Sequence, residues 1–305
     1  MKWIDYESYL EIYPPKEFSF EECLLFLGRS DLEVLHQIKE GSVYKLIKVS
    51  EALILCKITS NHDHLMVEFP ISPISNYSRK KVVEYIWEWF DLNQDLREFY
   101  QVASQDKVLK KVAHKYYGLR VMCIPDLFEA LVWAIMGQQI NLTFAYTLKK
   151  RLVEQFGESL SFKGETFWIF PSFETIASLN VDDLRKLQIT TRKAEYIIDT
   201  AMAMRNGTLS KELLLQEKDY EQIKKSLLMI RGIGAWTADY VIMKCLHYTS
   251  AFPISDVGLH NALKNLLGLE SKPTIEEIEE YAANWKGWQA YATFYLWRSL
   301  YDKNT

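Results

Sequence analysis

The period of the hydrophobic positions changes once along the chain. Residues 43–49 (VYKLIKV), 53–59 (LILCKIT) and 65–71 (LMVEFPI) are β-branched apolar runs separated by turn-like segments. Asn61-His62-Asp63-His64 has the composition of a hairpin connection. These runs predict an antiparallel sheet. Val82, Val83, Ile86, Trp87 and Phe90 then fall on one helix face. From about residue 95 the pattern is helical nearly throughout. Leu127, Phe128, Leu131, Val132, Ile135 and Met136 form a stripe that stops at Gly137, and Asn141 is placed to N-cap a helix over 142–156 that ends before Gly157. Further stripes run through Ala194, Ile197, Ile198 and Ala201, and through Tyr220, Ile223 and Leu227. Thr274 with Glu277 is a capping-box pair ahead of a helix over 275–284. The expected architecture is an α+β domain with an antiparallel sheet over 1–105, followed by an all-α body over 106–305.

Composition narrows the class without choosing a function. The chain has 305 residues, 49% hydrophobic and 25% charged, as in ordinary folded proteins. It has no apolar run of membrane-spanning length and no signal-peptide pattern, so the expectation is a cytoplasmic protein; a monomer is expected as well. Cys23, Cys56, Cys123 and Cys245 are far apart with no CxxC, which argues against a zinc or iron–sulfur site. GxGxxG after a strand, Walker, GxSxG and HExxH motifs are absent, which weakens small-molecule chemistry. The His62-x-His64 pair lies in the predicted hairpin turn, with no third ligand nearby. A net charge of -4 lacks the basic footprint usual for nucleic-acid binding.

One segment answers that objection. In Leu227-Leu-Met-Ile-Arg-Gly-Ile-Gly-Ala-Trp-Thr-Ala-Asp-Tyr240 a helix ends near Ile230, Gly232 and Gly234 flank Ile233, and a second helix starts at once. Unpaired amides at that start, with the positive end of the helix dipole behind them, form a phosphate site that needs few basic side chains. A plain helix–helix turn with glycines at the C-cap has the same local sequence. Further on, Asp256 precedes an amphipathic segment containing Leu259, Ala262, Leu263 and Leu266. Alone it reads as an N-cap. A carboxylate held beside a sugar C1′ would also stabilise the positive charge that builds there as an N-glycosidic bond breaks, and orient the attacking water.

Taken together, these segments resemble the helix-hairpin-helix base-excision DNA glycosylases. The hairpin (about 220–247) and the loop 250–258, with Phe252-Pro-Ile-Ser-Asp256, are similar to that superfamily's hairpin and catalytic-aspartate loop. Leu131-Val-Trp-Ala-Ile-Met-Gly-Gln-Gln-Ile140 is similar to its Gly-Gln loop, and the stretch from Asn180 to Ile198, with Thr191-Arg192-Lys193-Ala194, also fits. The N-terminal part resembles the extra domain of the 3-methyladenine and 8-oxoguanine enzymes. The closest branch is the alkylpurine one, that of 3-methyladenine-DNA glycosylase II.

The resemblance implies an enzyme that excises alkylated purines, such as 3-methyladenine and 7-methylguanine, from double-stranded DNA by flipping the base, with Asp256 as catalytic residue. Bifunctional members carry a lysine nucleophile where this chain has Trp236, so water attacks and an abasic site remains. It further implies a base pocket of Trp236, Tyr240 and Trp297, whose rings suit a cationic base. Trp285, Trp288, Tyr291 and Tyr295 add to the aromatic content of the C-terminal region, where rings at helical spacing commonly form core. A wedge is implied among Gln138, Gln139 and Ile140, where the relative's apolar wedge residue is replaced by Gln139. Phosphate contacts fall on Arg231, Gly232, Gly234 and Lys244, with Arg192 and Lys193 nearby in the same face. No organic cofactor or side-chain metal site is implied; the hairpin of relatives holds a monovalent cation (Na+ or K+) on carbonyls, here near Met229 and Gly234. Asp239, the nearest rival acid, has no catalytic counterpart and reads as a helix-surface or supporting residue. Two other readings stay open: a glycosylase for oxidised or deaminated purines, and a non-catalytic damage-recognition module.

Overall fold

In a computed structural model the described residues are 1–302, except 72, 73 and 218. They group into two compact units. The first comprises residues 1–14, 30–89 and 125–213; the second comprises 15–29, 90–124 and 214–305. A single cut near residue 105 is therefore corrected. Element type changes there, but packing groups the sheet with the helices of 125–213.

The first unit is built on a six-stranded antiparallel sheet: β1 (Trp3–Asp5), β2 (Tyr9–Ile12), β3 (His36–Lys39), β4 (Ser42–Val49), β5 (Ala52–Asn61) and β6 (His64–Glu68). Its spatial order is β1-β2-β6-β5-β4-β3. Register aligns Leu10, Val67, Ile58, Val43 and Ile38 in one row across five strands. Four of those five are fully buried. Each such aliphatic side chain contributes roughly 1.5–3 kcal/mol through removal from water. The Asn61–His64 turn sits where its composition placed it, with His62 in the left-handed region.

A second hairpin was not expected. β7 (Ser159–Phe162) and β8 (Glu165–Trp168) pair antiparallel within the helical part, so that part is not all-α. Lys163 and Gly164 both have positive φ, the backbone of a tight two-residue turn. Phe167 buries against Leu46 of β4 and Leu55 of β5, which is why β4 is buried on both faces rather than alternating. The helix Leu127–Gly137 of this unit is apolar nearly all round and buried along its length, as a central helix must be.

The second unit is helical: Phe20–Leu27, Arg97–Gln105, Leu109–Lys115, Tyr220–Leu228, Ala235–Lys244, Val257–Leu267, Ile275–Tyr281 and Gln289–Ser299. Trp285, Tyr291, Tyr295, Phe99 and Phe294 are fully buried in it. The Tyr295 hydroxyl meets Tyr100 Oη at 2.7 Å and donates to the Leu119 carbonyl at 2.9 Å, so these buried phenols are satisfied. Trp288 is buried as well, which assigns that part of the C-terminal aromatic set to core. No helix among the described residues is long and apolar enough to cross a membrane.

Candidate active site

Both hairpin helices belong to the second unit. Asp219 caps the first, Tyr220–Leu228, by accepting from the Gln222 N–H at 3.0 Å. The turn then uses Gly232 at φ +90, a backbone that disfavours a Cβ, while Ile233 plugs inward. Gly234 is the N-cap of Ala235–Lys244, and no side chain caps that helix start. A Cβ on Gly234 would meet nothing within 4 Å, so the space before the helix N-terminus is open. Arg231 is exposed beside it. The Gly234 carbonyl accepts from Ala238 N–H at 2.9 Å, and the neighbouring Met229 side chain is 82% exposed.

Lys244 requires a correction. It lies at the far end of the same helix and is only 4% exposed. Its ammonium donates to the Met122 carbonyl and lies 4.7 Å from the Phe294 ring centroid. Burial pushes its pKa down to about 7. Position on the helix suggested a phosphate contact; packing turns the side chain into the core instead.

The acid is held by the same unit. Asp256 sits after the loop that follows the hairpin, with its own N–H donating to the Pro253 carbonyl at 2.9 Å. It caps Val257–Leu267, Oδ1 accepting from the Leu259 N–H at 2.8 Å. Two indoles also donate to it: Trp297 Nε1 to Oδ1 at 2.7 Å and Trp236 Nε1 to Oδ2 at 2.9 Å. Three N–H groups on one carboxylate fix its plane and leave acceptor capacity on Oδ2, which has one partner among these. Gly258 is part of this geometry. A Cβ there would meet Asp256 Oδ1 at 2.9 Å and Trp297 Nε1 at 3.2 Å. The sequence reading named Asp256, Trp236 and Trp297, and the structure brings the three together. The sequence alone missed the indole hydrogen bonds and Gly258, because contacts across 20 and 41 residues leave no local signal.

Tyr240 packs against both indoles, with ring centroids 5.4 Å from Trp236 and 6.2 Å from Trp297 and interplanar angles of 31° and 34°. It is buried, while both tryptophans are partly exposed. A base sandwiched between two rings needs about 7 Å, twice the usual contact distance of about 3.5 Å. As placed, Tyr240 therefore supports the two indoles, and a ligand would lie against an outer tryptophan face.

Asp239 is not a surface residue. It is buried, accepts from the Tyr220 hydroxyl and pairs with Lys224 at 2.9 Å; burial raises its pKa. Those partners occupy it structurally.

In the first unit, the helix Leu127–Gly137 ends at Gln138, Gln139 follows at φ +56 and exposed, Ile140 is half-buried, and Asn141 caps Leu142–Phe156. A left-handed non-glycine residue costs about 1–3 kcal/mol, so its surroundings must hold it. Lys193 is one such hold. Its Nζ donates to the carbonyls of Met136 at 2.8 Å and Gln138 at 2.6 Å. Lys193 is thus engaged with a helix C-terminus rather than free to reach a phosphate, whereas Arg192 is exposed.

Comparison with known proteins identifies the family. Residues 132–288 match the family model of the HhH-GPD superfamily base excision DNA repair proteins, and residues 13–131 match that of the 8-oxoguanine DNA glycosylase N-terminal domain. A DNA-3-methyladenine glycosylase of Bacillus subtilis is 45% identical over 304 residues, covering 99% of this chain and 100% of that protein. DNA-3-methyladenine glycosylase 2 of Escherichia coli is 31% identical over 180 residues, 59% of this chain and 60% of that protein. The 3-methyladenine DNA-glycosylase structure from Archaeoglobus fulgidus shares the fold, with a TM-score of 0.81 at 24% identity over 94% of this chain and 97% of that one. With a full-length relative at 45% identity and a superfamily model over residues 132–288, which takes in both hairpin helices, Trp236 and Asp256, the chain belongs to the HhH-GPD superfamily of base excision DNA repair proteins.

Proposed function

We infer that this protein is a monofunctional DNA glycosylase that removes alkylated purines, 3-methyladenine and 7-methylguanine among them, and leaves an abasic site. The observation that carries the reading is Asp256, a helix-capping carboxylate bonded by two indole N–H groups, with Trp236 standing where bifunctional relatives have lysine. The 45% identity to a DNA-3-methyladenine glycosylase supports the substrate class.

In this reading the hairpin start at Gly234 and Ala235 receives a DNA phosphate on its amides, with Arg231 beside it. The target nucleotide leaves the stack. Gln139, exposed at its turn, fills the gap and meets the orphaned partner base, or Ile140 supplies an apolar plug in its place. The extruded base lies against an indole face. An N3- or N7-alkylated purine carries positive charge, which a tryptophan face attracts by about 0.5–2 kcal/mol. Such a base is already an activated leaving group, so it departs without a strong general acid. As the C1′–N bond lengthens, positive charge grows on the sugar, and Asp256 stabilises it through Oδ2. Water adds at C1′ and loses a proton, while the base departs neutral. With no amine at position 236 there is no Schiff base and no coupled strand cleavage.

A lesion panel tests this. Free 3-methyladenine and 7-methylguanine should appear from alkylated duplex DNA, with strands intact until heat or alkali is applied. Release confined to 8-oxoguanine or deaminated purines would overturn the substrate class. Strand nicking by the protein alone would overturn monofunctionality. Release of no base at all would favour a recognition module.

A further inference from the structure

Within the second unit, three side chains that the glycosylase reading does not use converge on one point. Asp91, Cys123 and His247 each offer one donor atom, and the three atoms lie within 4.8 Å of one another. His247 Nδ1 is 2.8 Å from Asp91 Oδ1 and 3.4 Å from Cys123 Sγ. Both partners therefore address the same ring nitrogen. A nucleophile–base–acid relay needs the two ring nitrogens to serve different partners, so this is not a catalytic triad. One proton on Nδ1 cannot point well at both acceptors. A cation at that place could serve all three.

We propose that Asp91, Cys123 and His247 form a binding site for a thiophilic divalent metal ion of the Zn2+ class. The donor set is one carboxylate, one thiolate and one imidazole, a combination that favours Zn2+ over Mg2+ or Ca2+. Tetrahedral zinc, with bonds of about 2.0–2.3 Å, sets its ligand atoms about 3.4–3.6 Å apart. The Sγ···Nδ1 separation already lies within about 0.2 Å of that value. The Nδ1···Oδ1 separation must open by about 0.6 Å, a small rotation of the two side chains. On loading, the thiol gives up its proton and the imidazole carries its own on Nε2. Two anionic ligands then balance the ion's two charges.

The surroundings hold the ligands as such a site requires. Asp91 Oδ2 accepts from the Tyr291 hydroxyl at 2.7 Å, which orients the carboxylate with Oδ1 toward the histidine. The Gln94 side-chain amide donates to the His247 carbonyl at 3.0 Å. Asp91 and His247 are each held in the left-handed region, at φ 50 and φ 62. Asp91 and Cys123 are buried, whereas the His247 side chain is 22% exposed, which leaves a solvent side for a fourth, water ligand. A metal bound here would tie together three segments more than 30 residues apart.

Cobalt substitution tests the proposal on the full-length protein, stripped with chelator and kept reduced. Co2+ should bind one to one and give a near-ultraviolet thiolate charge-transfer band that Zn2+ abolishes. The band should vanish in Cys123→Ser, and His247→Gln should weaken binding at least tenfold. Absence of the band in the wild type, or its survival in Cys123→Ser, would overturn the site. Because a cluster variant could lose its fold, zinc X-ray absorption on the wild type gives a second reading: a shell containing one sulfur supports the site, and an all-nitrogen/oxygen shell overturns it.

Discussion

The substitution Gly258→Ala separates the demands of the acid from those of the fold. Gly258 is the second residue of the helix that Asp256 caps. By helix propensity the change is favourable, by up to about 1 kcal/mol and less so close to a helix end. The added methyl, however, meets Asp256 Oδ1 at 2.9 Å and Trp297 Cδ1 and Nε1 at 3.2 Å. A carbon–oxygen contact of that length must relax by several tenths of an ångström. Neither neighbour is the loose end of a flexible chain, since Oδ1 is held by both the Leu259 N–H and the Trp297 indole. Misplacement of a reacting group by about 1 Å costs on the order of 100-fold in rate, so half that shift costs about tenfold. Single-turnover release of 3-methyladenine should therefore slow about tenfold, while the melting temperature changes by no more than about a few degrees, because the strain of the added methyl is partly offset by the helix-propensity gain. Full activity in Gly258→Ala would refute the claim that the placement of the Asp256 carboxylate matters. A large loss of stability would refute the packing argument.

Other perturbations separate the remaining parts. Trp236→Phe removes the indole donor to Oδ2 but keeps a ring; with the indole partly exposed, about 1 kcal/mol of orientation is lost and turnover falls roughly five- to tenfold. A variant as fast as wild type would deny the hydrogen bond a role. Lys193→Met releases the Met136 and Gln138 carbonyls and should cost about 1–2 kcal/mol of stability, with faster amide exchange confined to the 136–140 turn; unchanged exchange there would contradict the anchoring role. Lys244→Met tests the buried ammonium. Its folded pKa lies below its ordinary 10.5, at about 7, so between those values the unfolded chain binds the extra proton and stability rises with pH. From pH 7 to pH 9.5 this contributes roughly 3 kcal/mol in urea titrations, a slope that Lys244→Met should lack. Parallel pH profiles for the two proteins would sink it, and the difference between them cancels the other titrating groups.

Local chemistry was legible where it acts within a few residues. Asn141 does cap Leu142–Phe156, Thr274 and Glu277 do form a reciprocal capping box, and Gly232 and Gly234 do make the hairpin turn. The helix begun at Ile275 stops at Tyr281 and tightens into a 3₁₀ turn through Asn284, three residues from the expected end within the same segment. The strand pair 159–168 escaped notice because its Ser-Leu-Ser-Phe-Lys-Gly-Glu-Thr-Phe-Trp alternation is short, and only Phe167 is fully buried. Lys244 misled because a cation near a helix end says nothing about which way its stem packs. Cysteine spacing likewise gave no hint of Cys123 beside Asp91 and His247, since those donors come from segments more than 30 residues apart. What the sequence lacked in each case was a long-range contact.

Asp256 carries the proposed chemistry, and Asp256→Asn tests it with little disturbance of the fold. Asparagine caps a helix about as well as aspartate, so stability and duplex binding should persist. It removes the negative charge, and its amide N–H₂ would face an indole N–H that now donates to the carboxylate. Single-turnover release of 3-methyladenine from alkylated duplex DNA should fall by about 100- to 10,000-fold with the dissociation constant for the same duplex little changed. Release at the wild-type rate by a folded, DNA-binding Asp256→Asn protein would contradict the central claim.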